Sequence, residues 1–197
     1  AALEAFQIQI PGRICIDCGI STGGFTDCLL QHGASLVYGI DVGYGQTAWS
    51  LRNHEKVILM ERTNIRYLNP IDLYKDDHSL PDLAVADMSF ISLRLVLPAI
   101  KALLKKERKD CLALIKPQFE IGKNKVGKGG VVRAVEDHLE VLDSIIKFSI
   151  VEEWFIKGLV PSPIKGAAGN QEYILWLSRS GPNKFPDLKQ IVEDSLN

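Results

Sequence analysis

Three charged residues stand where this sequence passes from apolar to polar: Asp87 in VADMSFISL, Lys116 in LIKPQFE and Glu172 in GNQEYILWL. Each ends or opens an apolar run of strand length. A lysine at a strand end is costly to bury unless it is paired. Flanked by two carboxylates, Lys116 reads as a positioned base or a charge organiser. Taken singly, each of the three also reads as a solvated strand terminus. A fourth charged residue, Asp17, opens the stretch DCGISTGGFTDCLLQHG. There a strand ends, Gly19, Gly23 and Gly24 follow, and an amphipathic run stops at Gly33. Glycines at such a turn let the backbone approach a ligand, and the N–H groups that open a helix favour oxygen acceptors.

The ligand class follows from what the loop lacks. A dinucleotide site needs Gly-x-Gly-x-x-Gly, and Ser21 stands where the second glycine belongs. No Lys-Ser/Thr pair follows to clamp a phosphate. The loop, Ser21 and Thr22 included, suits a ligand without pyrophosphate. Asp41 lies 22 residues after Gly19, at the end of the next apolar run. An acid there accepts hydrogen bonds from ribose hydroxyls. A nucleoside without phosphate, held by an acid and a glycine loop, suggests S-adenosylmethionine. Thr63 and Asn64, after KVILME, are placed to contact the adenine. Tyr44 and Trp49 are read as packing residues.

The elements that must position these residues alternate. RICIDC (13–18), LVYGID ending at Asp41, KVILME (56–61), PDLAVAD (81–87) and CLALIK (111–116) read as strands, the first of them buried. Helical spacing runs over 24–32, a short helix fits 46–53, and Leu93 to Leu104 carries an amphipathic stripe. Val135, Leu139, Leu142 and Ile146 mark another helix, and a last one fits 187–196. FIKGLVPS and EYILWLS are two strands close enough in sequence to pair antiparallel. Such alternation predicts an α/β fold with a mostly parallel sheet covered on both faces.

Bulk properties bound the partners. The 197 residues suffice for one sizeable core. A net charge of −1 gives no general attraction to nucleic acid, so any such site is a local basic patch. No run of 18 apolar residues occurs, and AALEAFQIQIPG lacks the basic start of a signal peptide. Cys15 and Cys18 are three apart in a strand and so face opposite sides, which argues against a shared metal. Buried reduced thiols suit a cytoplasmic protein.

The segments CIDCGISTGGFTDCLLQHGA, IDVGYGQTAW, ERTNIRYL, VADMSFISL, LIKPQFEIG, VGKGGVVR and PSPIKGAAGNQEYILWL together resemble the TlyA family over nearly the whole chain. Those proteins are often labelled hemolysins and look like ribosomal RNA 2′-O-methyltransferases with an FtsJ-like (RrmJ-like) domain. The resemblance implies a Rossmann-like, seven-stranded S-adenosylmethionine-dependent methyltransferase fold with an antiparallel last strand. It implies a Lys-Asp-Lys-Glu tetrad, of which Asp87, Lys116 and Glu172 match the last three members. The first Lys has no match in AALEAFQIQIPGR, and the family's N-terminal RNA-binding domain has none either. The expectation is one catalytic domain over 1–197, with ribosomal RNA or ribosomal subunits as partner and no membrane contact.

The loop GKNKVGKGGVVR supplies Lys123, Lys125, Lys128 and Arg133, and a second small-residue loop supplies Lys165. They read either as RNA phosphate contacts or as solvated mobile loops. Three rivals stand beside the RNA enzyme: a membrane-active hemolysin, a small-molecule methyltransferase, and a noncatalytic domain that keeps only the nucleoside site.

Overall fold

The computed structural model describes residues 1–73, 80–107 and 109–196. Seven strands form one sheet: β1 (Ile14–Cys18), β2 (Leu36–Ile40), β3 (Val57–Met60), β4 (Leu83–Ala86), β5 (Asp110–Ile115), β6 (Phe155–Pro161) and β7 (Tyr173–Ser178). Their order is β3-β2-β1-β4-β5-β7-β6. Strands β1 to β5 run parallel, and β7 is antiparallel to both β5 and β6. The chain winds outward from β1 to β3 and then returns to β4, so the switch point lies between β1 and β4. Crevices at the C-terminal ends of such strands are where open α/β sheets bind ligands.

Register decides which residues meet there. Cys18 pairs with Ala86, and Ala86 with Ala113. Gly19 and Asp87 therefore leave the sheet side by side. Ile115 pairs with Tyr173. Because β7 runs the other way, Glu172 at its start arrives beside Lys116 at the end of β5.

Helices α1 (Ala2–Ala5), α2 (Gly24–Gln31), α3 (Trp49–Arg52), α4 (Pro70–Leu73), α5 (Leu97–Leu103), α6 (Pro117–Glu120), α7 (Val135–Val151) and α8 (Leu188–Leu196) connect and cover the strands. One sheet face packs Ile16, Cys18, Tyr38 and Ala84 against Leu97, Ile100, Leu142, Ile145 and Val192. The other packs Cys15, Val37, Leu83 and Val85 against Ile8, Ile10 and Leu29. Cys15 and Cys18 are both fully buried free thiols in these two separate clusters, as period-2 alternation requires. Among the described residues no helix is long and apolar enough to cross a membrane.

Two expectations change. The stripe from Leu93 to Leu104 is not one helix: a 3-10 turn over Leu93–Leu95 precedes α5. Pro98 sits in the first turn of α5, and continuing the helix upstream would drive its ring into the carbonyl of Arg94. Tyr44 and Trp49 are not packing residues; they are 65% and 77% exposed. Helix α3 has four residues and buries only Leu51, so its aromatic member faces outward. The Tyr44 ring instead carries the Arg62 guanidinium at 4.3 Å.

Gly19 has φ +88°, and a Cβ there would lie 2.5 Å from the Asp87 carbonyl oxygen. Gly19→Ala is expected to cost about 1–3 kcal/mol from backbone strain alone, with the clash adding to it. Chemical denaturation should show a lower midpoint at unchanged slope. An unchanged midpoint would remove the claim that β1 and β4 are pinned this closely at their ends.

Candidate active site

The turn after β1 is held open by its neighbours. The N–H groups of Gly19 and Ile20 donate to the Ile40 carbonyl at 2.8 and 3.1 Å. Gly23, at φ +104°, is the N-cap of α2. Ser21 also has positive φ, +48°, and with Thr22 it is exposed. Thr47 Oγ1 donates to the Ser21 carbonyl at 3.0 Å, and Ala48 N to the Thr22 carbonyl at 3.1 Å. Gly24 begins α2 with open space where a Cβ would be.

Asp17 lies beneath this turn and is 1% exposed. Its Oδ2 accepts from Thr26 Oγ1 at 2.7 Å, and its buried Oδ1 has no hydrogen-bond partner. Burial pushes the carboxyl up to about 7; the Thr26 hydrogen bond opposes the rise, and the Asp87 and Asp41 charges add to it. Asp41, one residue past β2, uses both oxygens: Oδ2 accepts from Ser21 N at 2.8 Å and Oδ1 from Gly43 N at 2.7 Å. It ties the tip of the glycine turn to its own loop, and each oxygen retains further acceptor capacity. Thr63 N donates to the Asp41 carbonyl at 2.8 Å, which places Thr63 at the same edge. Asn64 is occupied differently, since its Oδ1 caps the next 3-10 turn by accepting from Arg66 N at 3.1 Å.

The charged set meets at the neighbouring strand ends. Lys116 Nζ is 2.5 Å from Asp87 Oδ1 and donates to Ser89 Oγ at 3.1 Å. The lysine side chain is 13% exposed and that of Asp87 36%. Glu172 is buried, and Gln118 Nε2 approaches its Oε1 at 3.4 Å. Burial raises the Glu172 carboxyl above its ordinary value; Lys116 and Gln118 oppose this, and Asp87 adds to it. A Cβ on Gly166 would fall 2.5 Å from Glu172 Oε1, so a side chain there would have to displace the Glu172 carboxylate.

Four residues here escape sequence reasoning. Gln118 is in the first turn of α6, an element too short to show a period. Ser89 and Phe90 lie two and three residues after Asp87. Phe90 is 90% exposed at φ +64°, with its ring 5.1 Å from that of Phe119. A bulky residue held in that region is strained and marks a site worth testing. Glu61 ends β3 as Asp41 ends β2, and that shared position was the available signal. It accepts from Gly45 N at 2.6 Å and pairs with Arg52 at 2.5 Å, which holds its carboxyl below the ordinary range.

The basic residues divide. Lys128, Arg133 and Lys165 are exposed. Lys125 is bound back to α7 through Glu140 and through Asp137 at 3.5 Å. The Lys123 side chain lies outside the described residues.

The sequence model of the family described as "FtsJ-like methyltransferase" matches residues 1–179. YqxC of Bacillus subtilis, which carries an rRNA methyltransferase label, is 51% identical over 180 residues, covering 91% of this chain and 63% of that protein. The 16S/23S rRNA (cytidine-2′-O)-methyltransferase TlyA of Mycobacterium tuberculosis is 47% identical over 176 residues, covering 89% of this chain and 64% of that one. A solved Streptococcus thermophilus structure with a hemolysin label superposes with TM-score 0.92 at 41% identity, over 98% of this chain and 70% of that chain. The chain thus spans less than two thirds of the length of the two named rRNA methyltransferase relatives. Strand order, the family match and these identities agree: the chain belongs to the FtsJ-like methyltransferase family.

Proposed function

We propose that residues 1–197 form one catalytic domain that binds S-adenosylmethionine and methylates a ribose 2′-hydroxyl of ribosomal RNA. The observation that carries this reading is the Lys116–Asp87 pair at 2.5 Å, at the strand end adjoining the glycine turn. The activities named for the Mycobacterium tuberculosis relative support the substrate class.

The residues fit the cofactor. Its amino-acid end carries an ammonium, and the unpartnered, buried Asp17 Oδ1 is an acceptor without a donor. Its ribose carries two hydroxyls, and Asp41 stands at the end of β2 with acceptor capacity to spare. Gly24, at the start of α2, has open space where a side chain would be, which leaves the backbone there open to it. When bound, S-adenosylmethionine supplies a methyl group activated by its sulfonium.

The chain's own residues do the rest. Lys116 donates a hydrogen bond that orients the attacking hydroxyl, and Asp87 and Ser89 hold the ammonium in place. To take up the hydroxyl's proton, Lys116 must first give one to solvent. Glu172 and Gln118 close the far side. Lys128, Arg133 and Lys165 lie on adjoining loops as exposed cations for RNA phosphates.

Isothermal titration with S-adenosylmethionine tests the site. Asp41→Ala removes a carboxylate that holds two backbone N–H groups and awaits the ribose. Hydrogen bonds to charged groups are worth about 1.5–3 kcal/mol, so affinity should fall about 10- to 100-fold. A folded wild-type chain that fails to bind, or a variant that binds equally well, would sink the assignment.

A further inference from the structure

We propose that Asn170 is a positioning residue: it clasps the glycine-rich basic turn (127–133) to the loop that carries Glu172, so that Arg133 and Lys165 flank a groove for the sugar–phosphate chain of the substrate. The inference rests on the RNA reading above and names a residue which that reading does not use.

Asn170 is 1% exposed, unusual for an amide. Both ends of its side chain are engaged. Oδ1 accepts from Val132 N at 2.9 Å, and Nδ2 donates to the Gly130 carbonyl at 2.8 Å. The other end of Val132 is held as well: its carbonyl accepts from His138 Nε2 at 3.1 Å. His138 is fully buried on α7, and its Nδ1 accepts from Tyr173 Oη at 3.0 Å. Burial lowers the His138 pKa, in keeping with one ring nitrogen donating and the other accepting.

Each loop is already a compact turn. Gly127 N donates to the Val131 carbonyl at 3.1 Å and Gly130 N to the Gly127 carbonyl at 3.0 Å. Gly129 and Gly130 both have positive φ, +81° and +78°. On the other side, Gly166 N donates to the Asn170 carbonyl at 2.9 Å, and the turn wraps closely around Glu172. Asn170 ties the two turns directly to each other, from two residues before Glu172.

A cavity of about 390 Å³ opens where they meet, lined by Val131, Arg133, Lys165, Ala168, Gly169 and Gln171. Its two cations come from different loops, and its small residues leave backbone accessible. Such a groove suits a phosphodiester, whose contacts position a nucleic acid without reading its bases.

The test measures binding of a short labelled single-stranded RNA across a salt series, with S-adenosylmethionine affinity and circular dichroism as controls. Asn170→Ala should weaken RNA binding about tenfold, as loss of a typical hydrogen-bond pair does, and leave cofactor affinity within about twofold. It should also flatten the slope of log K against log salt by about 0.7 for each phosphate no longer neutralised. A residue needed only for stability would not change that slope. If Asn170→Ala fails to fold, Asn170→Asp carries the same test, since it keeps the acceptor for Val132 N–H and loses the donor to Gly130. A folded variant with wild-type affinity and slope overturns the inference. A wild-type chain that binds no RNA at all overturns the RNA reading, and this proposal falls with it.

Discussion

Lys116→Met should lower the single-turnover rate of methyl transfer to RNA by about 10²–10⁴-fold, the range typical of a positioned proton-handling group, while cofactor affinity stays within about threefold. Methionine keeps the length and apolar stem of lysine, so packing at a side chain 13% exposed is nearly preserved. What disappears is the ammonium between Asp87 and Ser89. Asp87 is left without its cation, close to the buried Glu172, and the site retains acids with nothing to hold the hydroxyl. Lys116→Arg separates charge from geometry: it restores a cation to Asp87, yet its planar fork cannot occupy the position of a compact ammonium. Arginine should therefore recover stability but little rate. A methionine variant within tenfold of the wild-type rate would remove Lys116 from the chemistry, whatever the ion pair looks like.

The positions of Asp41, Asp87 and Lys116 were legible because they obey one rule. Each strand is a short apolar run buried on both faces, and a charged residue ends it by stepping out of the sheet. Reading where burial stops is the same act as reading where the crevice begins. The antiparallel arrival of Glu172 was legible for a related reason, since only a short connection separates the last two strands. The one-turn helices α4 and α6 were not legible, because a single turn has no period to detect. Gln118 went unread with α6. Tyr44 and Trp49 misled because residue type suggests core while position on a loop and a one-turn helix decides otherwise. Phe90 carries no sequence mark of its positive φ. Asp17 was legible as a strand-end acid, but its orphaned oxygen depends on how α2 and Thr26 pack over it. Asn170 was invisible for the same cause: its clasp exists only when loops some 40 residues apart come together, as Asn170 with Gly130 does.

Asp17→Asn should make the free chain more stable at pH 8 and yet weaken S-adenosylmethionine binding. Burial places the folded carboxyl at about 7, against an ordinary value of 3.8. Between those values the folded chain keeps a proton that the unfolded chain has released. Its contribution to stability is therefore fully present below about pH 4 and is lost as pH rises through 7. The loss amounts to a few kcal/mol, on the order of 1.4 kcal/mol per unit of pKa displacement. Asparagine keeps an acceptor for Thr26 Oγ1 and never ionises, so the variant should escape that loss. Glu120 and Glu172 are also raised by burial and His138 is lowered, so the wild-type curve alone mixes several groups. The difference between the wild-type and Asp17→Asn stabilities, measured by denaturation at pH 5 and pH 8, isolates Asp17. The cofactor acts in the opposite direction. A cationic ligand group at Oδ1 stabilises the ionised acid, so wild-type affinity should rise as pH passes 7, and the asparagine variant should lose both the affinity and its pH dependence. Removing one partner of a buried charged pair typically costs 2–5 kcal/mol, so a loss of about 30-fold or more is expected. Equal pH slopes in the two proteins would mean that Asp17 does not hold its proton near neutrality. Equal affinities would mean that the orphaned oxygen faces no ligand.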